Sequence, residues 1–355
     1  MLAVIGEHYM AWLPATGAQN GWLGVDLFFI LSGFLITSIL ISLRDKEDYF
    51  STFYKRRALR IFPPYFLAIA IYLGISIYAG KLGTFNLWMQ YIFYYSSLYV
   101  GMPAQLDYAV ITPVGMGLAV LWSLSVEELF YTFWAPVVRY TSTLSLTVIL
   151  VATIFVAPLL RWWLHTPSHP ELFTFYCRMD ALGYGSTLAL LMNARRTNRV
   201  RWEHWDKLFD WAAMAISAAT VVLWIRLHGN RSSLVLATVG VVMADVSLAL
   251  ITFAALRKSG SGSWWLRALR AKWLRSVGMV SYSLYLFHRT VGYFGRKWVG
   301  TWGLERHAEA VLQTLLSLAM SLAVAYALWY GVESRILKWK DRNVPSPAHP
   351  ETALA

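Results

Sequence analysis

The residues of this chain best able to move a proton or hold an anion stand where such side chains are rare. His8, Asp26, Glu127, Glu128, Arg178, Asp180 and His288 all fall inside, or at the ends of, long apolar stretches. A histidine titrates near neutral pH and can take up or return a proton. A guanidinium donates paired hydrogen bonds to an oxyanion or a phosphate, and a carboxylate balances a cation. An ionisable group inside an apolar span costs roughly 3 kcal/mol or more unless it is paired or hydrated, so each of these is a functional candidate.

Each also has a plainer reading. A lone buried histidine bridges helices as readily as it catalyses. Arg178 and Asp180 can neutralise each other or near neighbours. Asp26 stands where a carboxylate meets the unpaired N–H groups of a helix start. Asp245, alone in its stretch, reads as a structural polar contact. Glu7-His8 lacks the second histidine of a metalloprotease helix, and Pro167 separates His165 from His169, so the sequence implies no metal site.

The elements that must position these groups follow from composition. Of 355 residues, 57% are hydrophobic and 14% charged, and the mean hydropathy is +0.48. Soluble domains have about 45–50% apolar and about 25% charged residues. An ordinary soluble enzyme, a disordered chain and a collagen-like fibre are thereby excluded. The 18 Trp, 20 Tyr and 18 Phe suit a protein with two membrane–water interfaces to line. The one cysteine, Cys177, excludes an internal disulfide and a multi-cysteine metal cluster. The expected fold is all-α, a polytopic membrane protein.

A crossing needs about 20 mostly apolar residues. Such stretches occur at 22–43, 63–80, 118–138, 144–164, 172–192, 209–227, 234–256, 276–294 and 308–332, and residues 1–14 read as a helix already under way at Met1. No signal-peptide pattern precedes it. Basic residues gather at 44–62, 193–208, 257–275 and after 335. The net charge of +12 therefore reads as a topology signal that places these four segments in the cytoplasm, rather than as a nucleic-acid surface. Parity requires either that the shorter apolar piece at 87–100 dips in and returns or that two of the spans are miscounted, and its fourteen residues favour a re-entrant or interfacial segment. The expectation is about ten transmembrane helices plus that segment, with both termini cytoplasmic. A membrane domain at 1–342 would be followed by a flexible tail at 343–355. On this topology the buried polar groups gather between the midplane and the outer surface, although they come from separate helices.

Five strings then resemble one family. "GWLGVDLFFILSGFLIT" (21–37), "FYKRRALRIFPPYF" (53–66), "LWSLSVEELFYTFWAP" (121–136), "RMDALGYG" (178–185) and "SYSLYLFH" (281–288) are similar, in order, to the acyltransferase-3 family of integral-membrane O-acyltransferases. The resemblance implies transfer of an acyl group, usually acetyl, from cytoplasmic acyl-CoA as co-substrate, with no permanently bound cofactor. The acceptor would be a hydroxyl of a glycan, a lipid-linked sugar or a secreted small molecule. It further implies a bacterial inner membrane.

The family's first helix carries an arginine, ten residues, then a catalytic histidine. "LAVIGEHYM" matches the end of that motif and places the histidine at His8, while the arginine would fall about three residues before Met1. On this reading His8 is the general base and Glu127 its carboxylate partner. Arg178, Tyr282 or His288 would face the developing oxyanion, and Arg57 and Arg60 would hold the donor's phosphates. Asp26 and Asp180 would line the substrate site. Gly24 and Gly33 would permit close helix approach. A transporter or exporter, and a catalytically inactive relative, are the competing classes.

Overall fold

The computed structural model describes residues 1–10, 12, 13, 20–98, 110–166, 168, 170–197, 202–227, 229, 230, 232–260 and 262–344. Among these the chain is helical, with no strand. In order the helices are α1 (Leu2–Met10), α2 (Leu23–Leu43), α3 (Tyr49–Tyr78), α4 (Phe85–Ile92), α5 (Thr112–Leu118), α6 (Trp122–Tyr140), α7 (Thr143–Leu164) and α8 (Phe175–Arg196). They continue with α9 (Glu203–Arg226), α10 (Val241–Arg257), α11 (Trp264–Leu269), α12 (Lys272–Met279), α13 (Ser281–Val299), α14 (Arg306–Leu328) and α15 (Ser334–Asn343). A π turn at Leu236–Gly240 leads into α10, and another at Trp329–Glu333 joins α14 to α15.

By length and apolar content, seven helical stretches among the described residues can cross a bilayer. That is fewer than the ten read from sequence, and α8 and α13 show why. Their 22 and 19 residues rise about 33 and 28 Å, enough for a crossing, but charged and polar side chains interrupt their apolar runs. Those interruptions include Arg178, Asp180 and His288. At 87–100, α4 has eight residues and rises only about 12 Å, too short to span. Thr84 caps it, accepting from Leu87 N at 3.2 Å, and a 3-10 turn at Ser96–Leu98 follows. The described part of this segment thus has the length of a re-entrant or interfacial piece. The expected tail at 343–355, Arg199 and Arg201 of the second basic cluster, and His169 lie largely or wholly outside the described residues.

Helix α2 is the hub. It is apolar around its whole circumference and packs most closely on α8. The approach is reciprocal: a Cβ on Gly33 would fall on the Leu182 carbonyl, and one on Gly185 would fall on the Ile30 carbonyl. Only glycine lets the two backbones meet, as in small-residue packing of membrane helices. At the periphery, α7 and α9 expose large apolar side chains such as Phe155, Trp163, Trp211 and Ile225, which suits helices that face lipid. Helix α13 sits inside, held by side chains from three other helices.

Candidate functional site

Two hydrogen bonds clamp the middle of α13. Tyr72, on α3, donates to the Leu286 carbonyl at 2.6 Å, and Thr290 donates to the Pro113 carbonyl at 2.8 Å. From α1, the Tyr9 hydroxyl donates to the His288 carbonyl and lies 2.7 Å from Ser321 Oγ on α14. Gly292 leaves the room: a Cβ there would run into the Tyr9 ring. Tyr9 thereby fixes α1 against α13, and its neighbour His8 comes to lie beside His288. The two imidazole rings are 5.2 Å apart, centroid to centroid, and tilted by 33°.

The histidines differ in setting. His288 is fully buried, and its Nδ1 lies 2.8 Å from the Tyr285 carbonyl. A carbonyl only accepts, so Nδ1 carries a proton there, and in its neutral form the ring presents Nε2 as a lone pair. Among the described residues that Nε2 has no hydrogen-bond partner. His8 is only half-buried. The arrangement offers one accessible ring, backed by a second ring whose tautomer is set by the backbone.

A cavity of about 530 Å³ is bounded chiefly by α2, α3, α6 and α13. Its apolar wall includes Phe29, Leu35, Ile39 and Leu124, and its polar wall includes Ser32, Ser123, Glu127, Tyr282 and Tyr285. Four cations, Arg56, Arg57, Arg60 and Lys340, also line it. Tyr282 donates to the Ile61 carbonyl at 3.1 Å, just ahead of Pro63 and Pro64 in α3. Tyr285 hydrogen-bonds Ser123 Oγ at 2.7 Å and packs its ring 5.9 Å from that of His288. Tyr285 thus belongs both to the cavity wall and to the surroundings of His288.

Arg57 and Glu127 meet within this wall. The guanidinium lies 3.5 Å from Glu127 and 3.7 Å from Glu128, stacks 4.0 Å over the Tyr131 ring and hydrogen-bonds that hydroxyl. Tyr131 in turn hydrogen-bonds Ser32 on α2. Arg60, one turn along α3, forms no ion pair within 4 Å among the described residues, although Glu127 and Glu333 are within electrostatic reach.

Arg178, Asp180 and Asp26 lie elsewhere, at the α2–α8 interface. Arg178 pairs with Asp26 rather than with Asp180, and both are almost completely buried. Asp180 pairs at 2.7 Å with Arg161 of α7, itself wholly buried and also donating to the Cys177 carbonyl. Asp245 is buried, with Arg161, Arg178 and Asp180 within electrostatic reach. Two arginines and three aspartates thus tie α2, α7, α8 and α10 together. None of them lines the cavity.

Nothing in the motifs marks Arg161, Tyr9, Tyr131, Tyr285 or Lys340 as a site residue. Arg161 carries a signal, since it is a charged residue within the apolar run 144–164. The tyrosines carry none, because 20 Tyr in one chain suit the two membrane–water interfaces and single out no position.

Residues 1–330 match the model of the Acyltransferase domain family. The chain belongs to the acyltransferase-3 family. Among curated relatives it is 33% identical to the peptidoglycan O-acetyltransferase OatA of Listeria monocytogenes over 138 residues, 38% of this chain and 22% of that protein. It is 26% identical to the O-acetyltransferase OatA of Staphylococcus aureus over 305 residues, 78% of this chain and 47% of that one. It is also 31% identical to nodulation protein 10 of Rhizobium leguminosarum over 147 residues, 36% and 38% of the two chains. The matched regions cover less than half the length of each of these relatives. No solved structure matches. Family membership and the apolar helices make this acyltransferase-3 protein an integral membrane protein.

Proposed function

We propose that this chain is a membrane O-acyltransferase that moves an acyl group, acetyl in the simplest case, from cytoplasmic acyl-CoA to a hydroxyl of an extracytoplasmic acceptor. The observation that carries this reading is a cavity with a cationic lining and, in its wall, Tyr285, whose ring lies beside His288, the partner of His8. The phosphates of the donor would lie among the cations, with the pantetheine arm along Phe29, Leu35 and Leu124. The thioester would then arrive near Tyr285.

His8 would take the proton as the acceptor oxygen bonds to the thioester carbonyl carbon. His288, with its Nε2 lone pair unengaged, would stabilise the proton on His8 or relay it. Charge on the tetrahedral oxygen would be met by a hydroxyl such as that of Tyr285 or Tyr282. Collapse breaks the C–S bond, and the thiolate leaves with a proton as CoA-SH. Glu127 would act on this site through Arg57, whose place in the cavity wall it fixes. The Arg178–Asp26 and Arg161–Asp180 pairs would hold the helices that carry the site rather than touch substrate.

The acceptor class favoured is a glycan hydroxyl, because two of the relatives are named as O-acetyltransferases and one of those as acting on peptidoglycan. The donor side fits a bacterial inner membrane with the segments at 44–62 and 257–275, and both termini, in the cytoplasm. Purified protein in lipid nanodiscs, given radiolabelled acetyl-CoA and a soluble oligosaccharide, should form an alkali-labile acetyl ester. Movement of the glycan or of acetyl-CoA across vesicles without ester formation would replace the enzyme reading by a transporter.

A further inference from the structure

The family-matched segment ends at residue 330, yet a residue beyond it lines the cavity. The helical stretch Arg306–Asn343 has 38 residues and rises about 57 Å, nearly twice the hydrocarbon thickness of a bilayer. Its last part, α15, must therefore lie outside the apolar layer. It packs against the foot of α3, where Arg56 donates to the Val344 carbonyl at 2.7 Å and pairs with Asp341 at 2.8 Å. That docking turns Lys340 into the cavity. Lys340 keeps 8% of its surface exposed, and its ion-pair partner is Asp341 at 3.5 Å.

The charges there are unequal. Asp341, more than half exposed, is shared between Arg56 and Lys340. Arg57 is engaged by Glu127 and Glu128. Among the residues that line the cavity there are four cations and one carboxylate, Glu127. A lysine withdrawn from water with half a share of one carboxylate is poised for a further anion. Because the thioester must reach the Tyr285 end, the part of the donor farthest from it falls at the Lys340 end. In coenzyme A that part is the adenosine 3′-phosphate, and its charged group is a phosphomonoester carrying nearly two charges at neutral pH, whereas adenine is neutral.

We propose that Lys340, on the helix that follows the family domain, binds the 3′-phosphate of the acyl donor, with Arg60 as its neighbour, and so selects acyl-CoA over donors that lack this phosphate. The proposal rests on the acyl-CoA reading above and adds a recognition element from outside the family-matched segment. Docking of α15 by Arg56 is what completes the donor site.

The test compares acetyl-CoA with acetyl-3′-dephospho-CoA, using the full chain in nanodiscs. In the wild type, KM for the dephospho donor should be roughly tenfold above that for acetyl-CoA, as for loss of one charge-assisted contact. Lys340→Gln should raise KM for acetyl-CoA to nearly the dephospho value and barely move KM for the dephospho donor, with the change falling on KM rather than kcat. Lys340→Arg, which keeps the cation, should restore most of the discrimination. Equal KM values in the wild type, or an equal rise for both donors in Lys340→Gln, would overturn the proposal. Transfer from neither donor would instead bring down the acyl-CoA reading, and this proposal with it.

Discussion

The imidazole rings of His8 and His288, from opposite ends of the chain, lie 5.2 Å apart. What brings them together is the residue next to the first, since the Tyr9 hydroxyl bonds the His288 carbonyl and Ser321. Each such bond contributes about 1 kcal/mol. Tyr9→Phe should therefore slow transfer several-fold, at unchanged donor KM, by loosening α1 on α13. Steady-state kinetics against Ser321→Ala, which removes one bond and should be milder, checks this.

Arg57 and Arg60 stand one turn apart on α3 and should behave differently. Arg57→Gln leaves Glu127 and Glu128 without their cation in a largely enclosed wall. Breaking a buried pair from one side costs about 3–5 kcal/mol, so thermal stability in detergent should fall markedly. Arg60, with no ion pair within 4 Å among the described residues, should give a Gln variant of near-normal stability whose donor KM rises roughly tenfold. Melting curves and donor KM for the two variants separate these outcomes.

The α2–α8 contact leaves no space for a methyl group at either glycine. Gly33→Ala and Gly185→Ala should each destabilise by about 1–3 kcal/mol, the range for overpacking, because the obstructing atoms are backbone. Gly24→Ala should be milder, since its Cβ would meet a Val4 methyl group at 3.1 Å. The yield of monodisperse protein and its melting temperature report the order.

Much of this was legible in the residues. The helical class followed from apolar run lengths, and His8 and His288 stood out as ionisable groups within apolar runs. Pairing was not legible, because helix order does not say which faces meet. Arg178 could have met Asp180, two residues away, but successive residues on a helix point apart, and each found an opposite charge on another helix: Asp26 on α2 and Arg161 on α7. Arg57 read as a cytoplasmic-mouth residue and Glu127 as a mid-depth one. Their contact places both in the cavity wall, because α3 carries Arg57 eight residues, about 12 Å, into its length. Lys340 read only as a topology charge, since nothing in the sequence tells that α15 folds back on α3.

Orientation is open to direct labelling. With Cys177 replaced by serine, a cysteine at Thr197, at the end of α8, should resist an impermeant maleimide in intact cells and react after permeabilisation. Reaction in intact cells would place the second basic cluster outside and reverse the path proposed for the acyl group.

Whether His8 takes the proton of the acceptor hydroxyl is read from the initial rate of acetyl transfer against pH, for wild type and His8→Gln. A base works deprotonated, so the wild-type rate should rise with pH through one apparent titration and then level off. His8→Gln keeps a hydrogen-bonding side chain but no base; its rate should be at least ~10²-fold lower and should lack that titration, with donor KM little changed. A His8→Gln protein that retains most of the rate and the wild-type pH profile would rule His8 out as the base and leave it as a packing residue between α1 and α13.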